Sequence, residues 1–282
     1  DEGQEGIELA YNKLLKGKSG KKRVLKDRLG RIVRDVENVK SSVPGAELKL
    51  SIDKRIQFLA YRELALAVRN HQAISGTLVM LDVKTGEVIA MVGQPSFNPN
   101  NRSWLKNTAR NRSITDVFEP GSTMKPFTML LALDKGVITA TEDELIDVTE
   151  RIGNHKPDDK FFQMTIQQIL EKSHNLGTIS VSERLENEDF YNAWKKLGFG
   201  ESLGLMPSIE NPGILKHFST WGLADKRSLS FGHGPMNMNL AQLARAYLVF
   251  ANKGALPELK LIKDGNIDTQ KKQVFSPEST KR

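Results

Sequence analysis

Ser122 and Lys125, three residues apart, form the pair in this sequence that is best suited to covalent chemistry. Residues three apart share one face of a helix, so a helix over residues 122–133 would let the hydroxyl and the amine approach each other. A serine hydroxyl becomes a strong nucleophile when a neighbouring base takes its proton. Lysine is such a base only when it is neutral, and at neutral pH fewer than about one free lysine in a thousand is neutral. The chemistry therefore requires a pKa lowered by about three units through burial or nearby positive charge.

The Ser-x-x-Lys spacing alone does not identify this pair, because it occurs four times: Ser19/Lys22, Ser51/Lys54, Ser103/Lys106 and Ser122/Lys125. In most matches to so short a pattern the serine caps a helix and the lysine is solvated. Ser122 differs because Pro120-Gly121 precedes it and an apolar run, residues 126–131, follows Lys125. A helix with this composition is typical of a protein interior, which favours a buried lysine.

A second polar cluster, Ser173-His174-Asn175, follows an apolar run that ends at residue 172. A serine hydroxyl here can relay protons between Lys125 and a leaving group, and the Asn175 amide can hold a substrate carbonyl. The alternative is a helix-ending turn without chemistry, since Ser-x-Asn also occurs at 96–98.

The composition excludes or disfavours several other kinds of site and partner. The chain has no cysteine, which excludes disulfides and thiolate sites. Its five histidines have no ligand spacing, so we expect no metal site. The 41 basic and 34 acidic residues are dispersed, which does not favour nucleic acid as a partner. No apolar run reaches the roughly 18 residues of a membrane-spanning helix. The first residue is not methionine, which we interpret as processing or trimming.

Hydrophobic periodicity predicts an α+β protein in which helices are grouped after an early hairpin. A helix over 54–69, capped by Ser51 or Asp53, precedes a hairpin of strands 76–82 and 87–92. Further helices are expected at 7–15, 122–133, 165–172, 190–197 and 240–252. A short hairpin is expected between residues 24 and 33.

Several longer segments resemble class B penicillin-binding proteins, closest to the division-specific septal peptidoglycan D,D-transpeptidases. Ser-x-x-Lys, Ser-x-Asn and Lys-Thr-Gly are the short motifs shared by penicillin-binding proteins and β-lactamases. The segment 112–126, RSITDVFEPGSTMKP, is similar to the family's nucleophile segment. Residues 170–177 resemble its second motif, and residues 230–234 and 242–247 resemble its later core. Residues 79–99 resemble its opening hairpin, and residues 26–31 the end of its non-catalytic pedestal domain.

The resemblance implies a penicillin-binding transpeptidase-like fold, an antiparallel sheet flanked by helices. It places the end of an N-terminal pedestal domain and linker at residues 1–47 and the transpeptidase domain at 48–282. It further implies a location on the periplasmic face of the bacterial inner membrane. The anchor would be an N-terminal helix that is not part of this chain.

The implied activity is cross-linking of peptidoglycan stem peptides that end in D-Ala-D-Ala, in septal cell-wall synthesis. Ser122 would be the acylated nucleophile, Lys125 the base, Ser173 a proton shuttle and Asn175 a substrate anchor, with no cofactor. β-Lactam antibiotics would acylate the same serine. The implied partners are membrane proteins of the division machinery, including a glycosyltransferase.

The sequence departs from the family pattern at its third motif, Lys-Ser/Thr-Gly, which lies on a strand after the second motif. Nothing after Asn175 matches it, and we interpret Lys84-Thr85-Gly86 and Lys18-Ser19-Gly20 as coincidental matches. The transpeptidase domain is therefore expected to lack its C-terminal strands. His174 is a smaller departure, because the family more often has a small residue there.

Two other functions remain open at this point. A serine β-lactamase or penicillin sensor would share the short motifs, although no dedicated water-activating residue is evident. A truncated, non-catalytic scaffold in the division machinery would agree with the absent third motif. Labelling by a penicillin separates them, because an acyl-enzyme persists in a transpeptidase and turns over in a β-lactamase.

Overall fold

The computed structural model describes residues 2–98, 110–139, 141, 143–149, 162–263 and 270–281. The chain forms two compact units, Asp1–Leu50 and Ser51–Arg282. The Ser103/Lys106 match lies outside the described residues.

The first unit combines two short helices with a hairpin. The helices are α1 (Gly6–Ala10) and α2 (Asn12–Leu15), and the strands are β1 (Lys21–Lys26) and β2 (Ile32–Lys40). The predicted hairpin is therefore confirmed, although its strands extend beyond residues 24 and 33. The single helix predicted over 7–15 is wrong, because Tyr11 interrupts it with φ −109° and ψ 20°.

The second unit opens with helix α3 (Lys54–Asn70) packed on the hairpin of β3 (Gly76–Leu81) and β4 (Val88–Gln94). Asp53 caps α3, since its carboxylate accepts from the N–H groups of Arg55 and Ile56. One face of the helix packs against the hairpin: Ala60 is buried with Ala90 and Val92, and Ile56 and Leu64 flank them. The predicted helix and hairpin are both confirmed.

The Lys84-Thr85-Gly86 segment forms the hairpin's turn. The Asp82 carboxylate accepts from the backbone N–H groups of Lys84 and Thr85, at 2.9 and 2.8 Å, and from the Thr85 hydroxyl at 2.9 Å. Gly86 has φ +73°, a conformation that favours glycine. These residue types therefore build a turn at this position.

Residues 259–261 return to the hairpin from far along the chain. The Val88 N–H donates to the Lys260 carbonyl at 2.8 Å, and the Lys260 N–H donates to Gly86 at 3.0 Å. The Ser51 hydroxyl donates to Val88 O at 2.8 Å. These bonds join the hairpin to a segment that is far from it in sequence.

The remaining elements form a layer of helices with short antiparallel strands between them. The helices are α4 (Arg112–Thr115), α5 (Lys125–Asp134), α6 (Ile166–Glu171), α7 (Asn175–Ser182), α8 (Asn187–Leu197), α9 (Leu223–Ser230) and α10 (Leu240–Ala251). The strands are β5 (Val117–Phe118), β6 (Ile146–Asp147), β7 (Gln163–Met164), β8 (Ile214–Leu215), β9 (Met236–Asn239), β10 (Ala255–Pro257) and β11 (Lys271–Gln273). Strand β9 lies between β5 and β8, and β6 pairs with β7 and β10 with β11.

Helix α5 is the centre of this layer. Phe127 is fully buried and contacts Tyr247 and Phe250 of α10, with ring centroids 4.9 and 5.1 Å apart. It also meets Trp194 of α8, at 6.5 Å. Full burial of such a side chain stabilises the fold by roughly 1.5–3 kcal/mol, so these contacts fix α5 firmly against its neighbours.

Three predicted helices of this layer are confirmed, and three others were not anticipated. The 165–172 prediction corresponds to α6 capped by Thr165, and 190–197 and 240–252 correspond to α8 and α10. The helices without a sequence prediction are α4, α7 and α9. Helix α7 (NLGTISVS) contains three β-branched residues and a glycine, so its local propensity for helix is weak and packing decides its form.

Candidate active site

Ser122 lies on a single 3-10 turn, Gly121–Met124, and α5 begins only at Lys125. The prediction of one helix over 122–133 is wrong at this end. Gly121 has φ +60°, and Pro126 occupies the first turn of α5, where its missing N–H is not needed. The Ser122 side chain is exposed, whereas Met124 beneath it is buried. The turn therefore exposes the Ser122 hydroxyl to solvent, while the buried Met124 side chain holds the turn in place.

Lys125 is buried, with 1% of its surface exposed, as its apolar context predicts. Its amine donates to the Ser173 carbonyl at 2.5 Å, to the Ser173 hydroxyl oxygen at 3.0 Å and to Asn175 Oδ1 at 2.6 Å. Among the described residues no hydrogen bond joins the amine to the Ser122 hydroxyl directly. The structure thus joins Lys125 to Ser173, which the sequence links to it as a proton relay, and to Asn175, for which the sequence suggests a substrate contact.

Ser173 and Asn175 reach the amine from the turn between α6 and α7. The Ser173 N–H donates to the Leu170 carbonyl at 3.0 Å, which ends α6. Ser173 then adopts φ +50°, a left-handed conformation that is uncommon for a residue with a side chain. Asn175 is the first residue of α7. The alternative of a helix-ending turn is therefore correct for the backbone, and the same turn presents both side chains to Lys125.

The three acceptors of the Lys125 amine differ in what they can exchange. The Ser173 carbonyl and Asn175 Oδ1 accept protons in hydrogen bonds and carry none themselves. The Ser173 hydroxyl can accept from the charged amine and can also donate to the lone pair of the neutral amine. Proton transfer at this amine can therefore run through the Ser173 hydroxyl.

Burial lowers the pKa of Lys125 to about 8, from its usual value above 10. About one such lysine in ten is then neutral at pH 7, compared with fewer than about one in a thousand for a free side chain. The amine is thus a usable base near neutral pH, which is the condition that the sequence analysis set for this chemistry.

Two other Ser-x-x-Lys matches lack this environment. Lys54 is exposed on the first turn of α3, and the Ser51 hydroxyl is engaged by backbone carbonyls. Ser19 and Lys22 are both exposed in the first unit. Burial of the lysine therefore distinguishes Lys125 from them.

A loop after α9, residues 231–234, supports the serine turn, and no role for it was predicted from the sequence. The Gly121 N–H donates to the Gly232 carbonyl at 2.9 Å, and the Gly234 N–H donates to Glu119 Oε1 at 3.1 Å. A Cβ on Gly232 would lie 2.1 Å from the Gly121 oxygen, so only glycine allows this approach. The available signal was the Gly-x-Gly pair in Ser230–Gly234, next to a phenylalanine.

Tyr247 of α10 also holds the serine turn. Its hydroxyl donates to the Thr123 carbonyl at 2.7 Å, and burial raises the pKa of Tyr247. The phenol therefore stays protonated near neutral pH and keeps this hydrogen bond. From the sequence, Tyr247 was identified only as part of the segment 242–247 that resembles the family.

No group of three or more potential metal-ligating side chains occurs among the described residues. In the same part of the chain, no helix has the length and apolar character needed to cross a membrane.

Comparison with known proteins identifies the family. Residues 76–282 match the penicillin-binding protein transpeptidase domain, and residues 2–50 match the penicillin-binding protein dimerisation domain. The chain belongs to the class B penicillin-binding proteins. Family membership and the penicillin-binding transpeptidase fold, expected from resemblance, are thus confirmed. The domain boundary between residues 47 and 48 stays a prediction.

Curated relatives of this class B protein carry transpeptidase names. The chain is 39% identical over 259 residues to a probable peptidoglycan D,D-transpeptidase PenA of Neisseria flavescens, covering 90% of this chain and 64% of the relative. It is 38% identical over 266 residues to peptidoglycan D,D-transpeptidase FtsI of Escherichia coli K12, covering 93% and 45%. The chain spans about half to two thirds of the length of these relatives.

Solved structures agree with the family assignment. The apo transpeptidase domain of Burkholderia pseudomallei penicillin-binding protein 3 superposes with a TM-score of 0.72 at 32% identity, covering 84% of this chain and 68% of that one. A structure described as a peptidoglycan glycosyltransferase from Burkholderia ambifaria gives the same TM-score and identity, covering 82% and 70%.

Proposed function

We propose that this protein is a serine-type peptidoglycan D,D-transpeptidase in which Ser122 is the acylated nucleophile. The observation that carries the proposal is the buried Lys125 amine, held by Ser173 and Asn175 three residues after an exposed serine. The names of the curated relatives support the same reaction and its substrate class, stem peptides ending in D-Ala-D-Ala.

In the first step, Ser122 Oγ forms a bond to the carbonyl carbon of the penultimate D-alanine. The serine proton passes to the neutral Lys125 amine, directly or through the Ser173 hydroxyl. The peptide C–N bond then breaks, and the terminal D-alanine leaves with that proton on its nitrogen. Asn175 is placed to orient the stem peptide, since its side-chain N–H groups are not used by Lys125, which binds Oδ1.

In the second step, an amine of another stem peptide attacks the acyl carbon. The ester C–O bond to Ser122 breaks, and the amine's proton returns to the serine oxygen through Lys125. In a β-lactam the bond that breaks is the ring amide, whose nitrogen stays attached to the acyl group. The leaving group therefore cannot diffuse away, which accounts for a persistent acyl-enzyme.

The test is labelling of the full-length protein with a fluorescent penicillin, followed by peptide mapping. We expect a stable adduct on Ser122 that Ser122→Ala abolishes, while Ser51→Ala retains it. Rapid release of the label would favour a β-lactamase, and absence of labelling would favour a scaffold. An adduct on Ser19, Ser51 or Ser103 would contradict the assignment of the nucleophile.

The setting of the activity is also a proposal. The FtsI relatives support a role in septal cell-wall synthesis. The proposed partners are membrane proteins of the division machinery, including a glycosyltransferase, as the resemblance implies. The proposed location is the periplasmic face of the inner membrane. Depletion of the protein should then give filamentous cells, and unaltered division would argue against this setting.

A further inference from the structure

His174 lies between the two residues that bind Lys125, and its ring caps helix α7. Its Nδ1 accepts a hydrogen bond from the Gly177 N–H at 3.1 Å. Its backbone carbonyl accepts from the Thr178 N–H at 3.2 Å and from the Thr178 hydroxyl at 2.9 Å. The imidazole therefore occupies the place that serine, threonine or asparagine usually takes at a helix start.

The turn that His174 caps is under conformational strain. Ser173 has φ +50°, and it is held from the α6 side by N–H bonds from Ser173 to Leu170 and from His174 to Ile169. Such backbone conformations persist only where the surrounding contacts fix them. On the α7 side, His174 contacts Gly177 and Thr178, and Asn175 binds the Lys125 amine.

We propose that His174 is a positioning residue, whose neutral imidazole keeps the Ser173–Asn175 turn in the geometry that binds the Lys125 amine. The inference rests on the proposed function for its effect on acylation. Because Nδ1 accepts the Gly177 hydrogen, the neutral ring must carry its own proton on Nε2. His174 acts through Ser173 and Asn175, and no contact with substrate is required of it.

Protonation of His174 removes this cap. A protonated ring has N–H groups on both nitrogens, so Nδ1 can no longer accept from Gly177. The added positive charge also lies at the positive end of the α7 dipole. The cap is therefore present while the ring is neutral and is lost as the pH falls through the imidazole titration.

Other charges near α7 must be considered in such a titration. The described elements that pack on α7 are α5, α6, α9 and β6. Their charged residues are Lys125 and Asp134 on α5, Glu171 on α6, Asp225, Lys226 and Arg227 on α9, and Asp147 on β6. Lys125 binds both neighbours of His174, so its titration is coupled most directly to the turn.

The first experiment measures acylation by a fluorescent penicillin between pH 5.5 and 8.5 in the full-length protein. His174→Asn keeps a capping side chain that does not titrate, and His174→Ala removes the cap. We expect His174→Asn to match the wild-type rate at pH 8, and His174→Ala to be about fivefold slower there. Loss of the neutral Lys125 affects all three proteins alike at lower pH. The wild type should lose about a further fivefold relative to His174→Asn between pH 8 and 5.5.

The second experiment does not depend on activity. In glycine-selective ¹⁵N-labelled protein, the Gly177 amide resonance should shift with the His174 titration, and its hydrogen exchange should accelerate once the ring is protonated. His174→Asn should abolish the shift. Circular dichroism at pH 8 checks that both variants are folded, and the His174→Asn comparison stands even where His174→Ala fails to fold.

Three results would overturn the inference. These are a Gly177 amide that does not follow the His174 titration, a His174→Asn protein with the wild-type pH profile, and a folded His174→Ala protein with the wild-type rate at pH 8. Absence of wild-type acylation at every pH would instead refute the proposed function. The Gly177 titration would still decide the role of His174 as a cap.

Discussion

At the scale of single residues, the decisive feature is the burial of Lys125. Four serine–lysine pairs share one spacing, and Ser103/Lys106 lies outside the described residues. Of the three described pairs, only the one at Ser122 has a lysine removed from water. The same burial that costs free energy for a charged amine makes the neutral amine accessible near pH 7. The reactivity of this pair therefore depends on where the lysine lies.

Replacement of Lys125 by alanine should remove general-base assistance and slow acylation by about 10²–10⁴-fold. Lys54→Ala is the matched control, because Lys54 has the same spacing from a serine and is exposed. We expect that variant to acylate at the wild-type rate. The measurement is the second-order rate constant for a fluorescent penicillin. A comparable loss in Lys54→Ala would mean that the wrong pair has been assigned.

The lowered pKa of Lys125 predicts the pH dependence of acylation. The base is active when neutral, and the neutral fraction rises with pH until it levels off above about 8. Over the lower part of the range the rate should rise up to about tenfold per pH unit. In a Lys125→Arg variant the side chain stays charged throughout this range. The variant should therefore lose acylation and with it the rise of the rate with pH. A rate that does not change between pH 6 and 8 would show that Lys125 is not the base.

At the scale of elements, the site depends on contacts between segments that are far apart in sequence. The 3-10 turn of Ser122 is hydrogen-bonded to residues 231–234 and to Tyr247 of α10. The α6–α7 turn brings Ser173 to Lys125 on α5. Because the contacts involve backbone groups of these segments, displacement of any one segment would move a functional atom of the site.

Gly232→Ala tests the contact beneath Ser122. The new Cβ would meet the Gly121 oxygen at 2.1 Å, so the serine turn must shift and acylation should fall more than about tenfold. Gly204→Ala is the control, because Gly204 has a similar φ, +77°, with no atom within 4 Å of the added Cβ. It carries the backbone cost alone, about 1–2 kcal/mol, and should melt a few degrees lower with normal acylation. Equal acylation by the two variants would contradict the role given to Gly232.

At the scale of the whole molecule, the hydrophobic core lies in the second unit. None of the described residues in the first unit is buried, and its apolar strand residues such as Ile32 and Val33 are exposed. The second unit contains every buried side chain that the structure describes, including the site. Stability and acylation should therefore be properties of the second unit.

Deletion of everything before Ser51 tests this division. We expect the main unfolding transition to stay within a few degrees and acylation by penicillin to stay within about twofold, because no buried side chain is removed. Differential scanning calorimetry and the labelling assay provide the two readouts. Loss of either property would show that the second unit depends on residues 1–50.

The sequence by itself determined the elements whose signals are local. Asp53 and Thr165 cap their helices, the apolar faces of α3 and α10 have helical period, and Gly86 closes the hairpin turn, so these elements could be predicted from neighbouring residues alone. The apolar run that follows Lys125 likewise indicates, from the sequence alone, that this lysine is buried. Residue types are sufficient here because the interactions join positions only a few residues apart.

Tertiary structure alone decided the features that join distant positions. Helix α7 forms although its own sequence favours helix weakly, the Ser122 turn packs backbone to backbone on Gly232, and residues 259–261 reach the hairpin across more than 160 residues. The positions of Ser173 and Asn175 around the Lys125 amine belong to this group, since no local pattern encodes which carbonyl a buried amine will meet. Burial and hydrogen bonding across the chain fix these contacts, and they convert a common spacing into a base with a pKa of about 8.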